Sequence, residues 1–183
     1  SAHLHGTHTE CVGHITKTAF MVQDLVPNRL FIPSLLVSLD PIKGSECQET
    51  YQPGFLPNDQ LLTREALKAK VPKQSFEDFE ALVLRTTPNS EEKKTRDYDH
   101  RPAPYFTNEA MVYLKELGVK FLLVDLPSVD RLEDEGMLSN HHIYWEMEQG
   151  THDTESPSTN SITEFIYVPN EVIDGPYLLN LNI

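Results

Sequence analysis

The chain has 183 residues, 39% hydrophobic and 23% charged, with a net charge of −13 and a sequence pI of about 4.9. This length suffices for one domain with a proper core, and we read residues 1–183 as a single α/β unit. So acidic a surface repels nucleic acid and anionic headgroups, and no apolar run approaches the ~20 residues of a membrane helix, so neither partner is expected.

In chain order, the first feature is HLHGTHTECVGH, residues 3–14, which holds four of the eight histidines. The run RLFIPSLLVSL (29–39) reads as a strand, with Pro33 suited to its start or to an edge. Residues 42–60 read as a loop, and 63–70 as a helix with Thr63 as N-cap and Glu65 in the first turn. EALVLRTTP (80–88) reads as a strand ending at Pro88. The polar, proline-bearing stretch 88–104 is a long excursion or lid.

The clearest helix is 107–118, capped by Thr107 and closed by Gly118, with Ala110, Met111, Leu114 and Leu117 on one face. VKFLLVDL (119–126) is a buried strand, and strand–helix–strand order suggests that it runs parallel to 80–88. A helical turn is expected around 131–142 and a polar loop over 149–161. A strand at 162–169, a turn at 170–175 and a last strand complete the order. Two cysteines make no disulfide framework, and Cys11 reads as a small buried thiol. The chain opens without Met or an apolar leader segment, and we expect both ends to be trimmed and the location to be cytoplasmic.

Imidazole and carboxylate together suit Zn²⁺, Mn²⁺ or Fe²⁺. His8 and Glu10 are two apart, so an extended strand turns both to one face. His3 has the opposite parity, and Gly6 can supply the bend that brings it round. His14, four past Glu10, falls at the start of a following turn or helix. A second group lies far along the chain: His141, His142 and the strand residue Glu164, whose apolar neighbours point to burial and hence to a need for a cation or a proton.

HxxGTHTECxGH, then DLPSVD, the His–His–aromatic patch and ITEFIYVP together resemble the metal-dependent cyclase family, which includes bacterial kynurenine formamidase and isatin hydrolase. Matching features run from His3 to about Leu179. The resemblance implies a swivelling β/β/α fold, with mixed sheets packed against helices, preceded in full-length members by further strands. It implies His3, His8, Glu10, His141 and Glu164 as metal ligands for one or two Zn²⁺ or Mn²⁺ ions, and His14 as general base or acid. It implies Asp125, Ser128 and Asp130 as supporting architecture, and a homodimer in which the partner subunit completes the pocket.

Two departures are visible. The position four before His8 is Leu4, which leaves His3 or His5 to replace the family's first histidine, and Glu10 stands where the family has aspartate. His142 rivals His141 as the later ligand. The activity implied is hydrolysis of an amide, formamide or cyclic amide small molecule through a metal-bound hydroxide. The alternatives are an ester- or lactone-cleaving relative, a non-catalytic metal module and an acidic interaction protein. Phe20, Tyr144, Trp145 and Phe165 are the aromatics from which an aryl pocket could be made.

Overall fold

The structure is a computed structural model that describes residues 5–25 and 30–182. Two mixed sheets form among the described residues. The strands are β1 (His8–Glu10), β2 (Ile32–Leu39), β3 (Ile42–Lys43), β4 (Gln60–Leu62), β5 (Ala81–Thr86), β6 (Tyr105–Phe106), β7 (Phe121–Val124), β8 (Ser161–Glu164) and β9 (Gly175–Leu179). The larger sheet runs β1-β8-β7-β5-β2-β9 and the smaller β3-β4-β6. In the larger sheet β2, β5, β7 and β8 are mutually parallel, and antiparallel β1 and β9 close its two edges. The α/β arrangement of mixed sheets with a few helices is the one expected.

The central strands are apolar on both faces because both are covered. All four residues of β7 are buried, as are most of β5 and β2. Their side chains join those of helices α1 (Arg64–Lys70), α2 (Asn108–Leu117) and α3 (Ser139–Tyr144) in one core. Both expected caps form: Thr63 accepts the Ala66 N–H and Thr107 accepts the Ala110 N–H. Gly118 ends α2 at φ 78°, a left-handed position that glycine adopts without strain. Leu117 is only half-buried, and Tyr113 takes its place in the core, donating a hydrogen bond to Val71 O.

Several boundaries differ from expectation. Residues 42–60 are not simply a loop, since β3 and the start of β4 lie there, and β6 lies just past the excursion; strands of two and three residues carry too little alternation to read. The helix expected over 131–142 begins only at Ser139, because Leu138 sits at φ 46° and the preceding turn is fixed by Asp134. The strand at 162–169 stops at Glu164, where Phe165 turns to φ 54°.

The excursion is pinned rather than loose. Lys93 donates to Asp125 Oδ2 at 2.8 Å and to the Oγ1 and carbonyl oxygen of Thr86, at the ends of β5 and β7. Asp125 also accepts from the Thr86 N–H, and its side chain is fully buried. A lone buried carboxylate is costly, so Lys93→Ala is predicted to lower unfolding free energy by roughly 3–5 kcal/mol. The double variant Lys93→Met/Asp125→Asn, which leaves no orphan charge, should recover part of that loss in urea unfolding.

Candidate metal centre

The register of β1 on β8 builds the site. His8 lies directly opposite Glu164, and Glu10 opposite Ile162, so His8, Glu10 and Glu164 share one face. Thr9 and Thr163 pair on the other face, with their hydroxyls 2.9 Å apart. The His8–Glu10 parity read from the sequence is therefore borne out. A tight turn, Val12–His14, then carries His14 back over Glu10. Gly13 makes that turn possible: a Cβ there would stand 2.3 Å from the Phe20 carbonyl oxygen.

The distances are short. His141 Nε2 is 2.8 Å from Glu10 Oε1 and 3.9 Å from Glu164 Oε1. His8 Nε2 is 3.5 Å from Glu164 Oε2 and 3.9 Å from Glu10 Oε2, and His14 Nδ1 is 3.7 Å from that same Glu10 oxygen. Two groups of donor atoms lie within 4.8 Å of one another: Glu10, His14 and His141, and His8, Glu10 and Glu164. Glu10 belongs to both. His14, which the resemblance gave a proton-transfer role rather than a ligand's, is a donor in the first group. His3 lies outside the described residues, whereas His5 lines the adjoining cleft. His142 is in neither donor group; its ring neighbours that of His152. Cys11 is also outside both groups, donating its thiol to Phe20 O, and both cysteines are free.

The imidazoles are aimed by their outer nitrogens. His8 Nδ1 lies 2.9 Å from Gly6 O, which can only accept, so Nδ1 carries the hydrogen and Nε2 is the nitrogen turned to the carboxylates. His141 Nδ1 donates to Asp130 Oδ2 at 2.7 Å. Asp130 also takes the N–H groups of Asn140 and His141 at the start of α3, and the Tyr51 hydroxyl. One carboxylate thus caps a helix and orients a ring. Asp125 and Ser128 are likewise supports, Ser128 Oγ accepting the Asp130 N–H.

The electrostatics match a cation. Burial and the neighbouring Glu10 charge hold the Glu164 carboxyl well above the usual carboxylate range, although Val129 N–H donates to it. Burial opposes charge on Glu10 too, but the His141 hydrogen bond and the nearby imidazoles outweigh it and pull that carboxyl down. His141 is fully buried, which disfavours its charge, yet its bonds to Asp130 and Glu10 raise it well above the ordinary histidine value. Both raised values favour the protonated form, on His141 and on Glu164. Oxygen and nitrogen donors of this kind suit Zn²⁺ or Mn²⁺, so the residues fit the expected group.

Glu164 ends β8, Asp125 follows β7 and Thr86 ends β5, so the site lies outside the carboxyl ends of parallel strands, where open α/β sheets place ligands. A cleft of about 660 Å³ opens there, lined by His14, His141 and Glu164 and also by Arg96, Tyr98 and Arg131. Of the four candidate pocket aromatics only Phe165 lines it; Tyr144 and Trp145 are fully buried in the core, and Phe20 packs against that core. Arg96, Tyr98, Arg131 and Tyr51 were not singled out from the sequence. The excursion containing the first two was, and the Arg-x-Tyr spacing within it was the available signal.

A pH dependence follows from His141. Its raised value means that its contribution to stability is complete below the unfolded value of about 6.5 and is lost as pH rises through the folded value. Glu164, also raised, acts in the same direction from its usual range upward. In chelator, the urea midpoint should therefore fall as pH climbs above about 6.5, and a saturating divalent ion should flatten the profile.

The family model described as "Putative cyclase" matches residues 1–131. A kynurenine formamidase of Bacillus cytotoxicus is 30% identical over 105 residues, 57% of this chain and 42% of that enzyme. One of Bacillus thuringiensis is 28% identical over 112 residues, 61% and 46% of the respective chains. The chain thus spans less than half the length of these relatives. Among solved structures, a potential metal-dependent hydrolase with cyclase activity superposes with TM-score 0.60 at 14% identity, over 97% of this chain and 68% of the other. Isatin hydrolase A of Ralstonia solanacearum gives 0.53 at 17%, over 93% and 62%. With the family pattern spanning the histidine-rich segment and most of the chain beyond it, this protein belongs to the cyclase family.

Proposed function

We propose that the protein is a metal-dependent hydrolase that cleaves the C–N bond of an amide, formamide or cyclic amide, with Zn²⁺ or Mn²⁺ held by His8, Glu10, His141 and Glu164. The observation that carries this reading is the convergence of Glu10 and Glu164, both buried, with inward-turned imidazoles at the wall of a small-molecule-sized cleft. Glu10, common to both donor groups, would bridge if two ions bind. The fifth ligand of the original set, His3, stays part of the proposal, with His5 as its rival. Relatives that are kynurenine formamidases and isatin hydrolases favour an aryl formamide such as N-formylkynurenine, and with it tryptophan breakdown. The same family likeness extends the reading to a cytoplasmic homodimer.

A divalent ion there would supply Lewis acidity, lowering the pKa of water to around 7 and polarising the scissile carbonyl. The chain's own residues do the rest. Glu10 and Glu164 hold the charge, and Asp130 keeps His141 turned inward. His14 is packed against the rings of His141 (5.3 Å between centroids) and Trp145 (6.3 Å), which limits its swing while leaving it at the exposed rim. With Nδ1 directed at Glu10, its Nε2 is the nitrogen left to carry a proton to the departing amine as water adds to the carbonyl carbon and the C–N bond breaks.

His14→Ala is predicted to keep its metal and lose about 10²–10⁴-fold in kcat on formanilide or isatin, whereas His8→Ala loses metal by elemental analysis. A second reading has an observation of its own, since His14 lies within ligand distance of Glu10 and His141. Metal lost from His14→Ala would select that reading and remove His14 as the proton carrier. Asp130→Asn keeps the shape but not the charge behind His141, and should weaken metal affinity about 10–100-fold in calorimetric titration.

A further inference from the structure

The cleft beside the donor cluster carries a charge that no carboxylate among the described residues neutralises. Among the described residues, Arg64 meets Glu116, Arg85 meets Asp174, Arg101 meets Glu92 and Arg131 meets Asp59. Arg96 meets no carboxylate. Its Nε is buried without a hydrogen-bond partner, and its guanidinium lies 5.8 Å from the centre of the Tyr98 ring. In a chain with net charge −13 this is an unusual economy to forgo, because acidic partners are plentiful. Three of the nearby acids are engaged elsewhere: Asp97 with His100, Asp134 with the Gly136 and Leu138 N–H groups, and Asp125 with Lys93.

Arg96 is also positioned. It sits three residues past Lys93, the residue that pins the excursion to the ends of β5 and β7. Tyr98 stands edge-on to Phe165, with centroids 6.0 Å apart at 67°, and both rings line the cleft with Arg96. An aromatic wall and one uncommitted guanidinium together suit a flat ring bearing a single negative charge.

We propose that Arg96 is a specificity-determining residue that selects aryl substrates carrying a carboxylate. This deepens the hydrolase reading and rests on it for turnover, but not for binding. One guanidinium balances one carboxylate in a forked pair, whereas a dianionic phosphate would bring a surplus charge beside Asp97 and Asp99.

The test pairs 3-formamidobenzoate with its neutral carboxamide as substrates, and 3-aminobenzoate with 3-aminobenzamide as ligands of the full chain in EDTA, where no metal can capture the carboxylate. The wild type should favour the carboxylate member of each pair by at least about tenfold. Arg96→Gln should abolish the preference through KM and through Kd, leaving the carboxamides within about twofold, and Arg96→Lys should restore part of it. If neither formanilide is hydrolysed yet the Arg96-dependent binding preference holds, the hydrolase reading falls and the role of Arg96 stands. Equal or undetectable binding of the two amines, or a loss in Arg96→Gln that affects both alike, overturns the proposal whatever the turnover.

Discussion

Two glutamates that would repel one another are held side by side by backbone pairing, and the rest of the site answers that constraint. The β1–β8 ladder puts the Glu10 and Glu164 side chains on one face beside His8, and α3 brings His141 between them. Neither carboxylate has enough water to be solvated as an ion. The chain must therefore supply positive charge, borrow protons or hold a cation. The raised Glu164 and His141 show the cost of the middle course, and the inward-turned Nε2 of His8 fits the last.

What makes this constraint sustainable is the support behind it. Asp130 ties together the start of α3, the His141 ring and Tyr51 from the loop before β4. Leu138 and Phe165, each at a positive φ, flank His141 and Glu164 in sequence. Such conformations cost about 1–3 kcal/mol each and persist only when the surroundings over-determine them. For Leu138 the surroundings are visible: Asp134 accepts its N–H at 2.6 Å. The Lys93–Asp125 pair ties the segment that carries Arg96 and Tyr98 to the same sheet.

Much of this was legible in the residues. Strand parity put His8 and Glu10 on one face, the two threonine caps announced α1 and α2, and the apolar run of β7 could only be a covered strand. Donor types and spacing likewise pointed to a cation site. The remainder depended on contacts that one-dimensional patterns do not encode. Nothing in GTHTECVGH reveals that His14 turns back to within reach of Glu10, because that turn exists only where Gly13 meets the Phe20 backbone. The resemblance already favoured His141 over its neighbour, but the aim of its ring depends on Asp130, which also takes the N–H groups at the start of α3. The short strands β3, β4 and β6 owe their existence to pairing partners, not to their own sequence.

The pairing of β1 with β8 has a bearing on how the molecule is made. Its Thr9–Thr163 contact spans 154 positions, so the histidine-rich segment cannot dock until the chain as far as β8 has been made. Until then its imidazoles and thiol are exposed to whatever ions the surroundings offer. Since loop closure over such a separation is entropically slow, the chemistry-bearing corner is a late part of the sheet to be sealed.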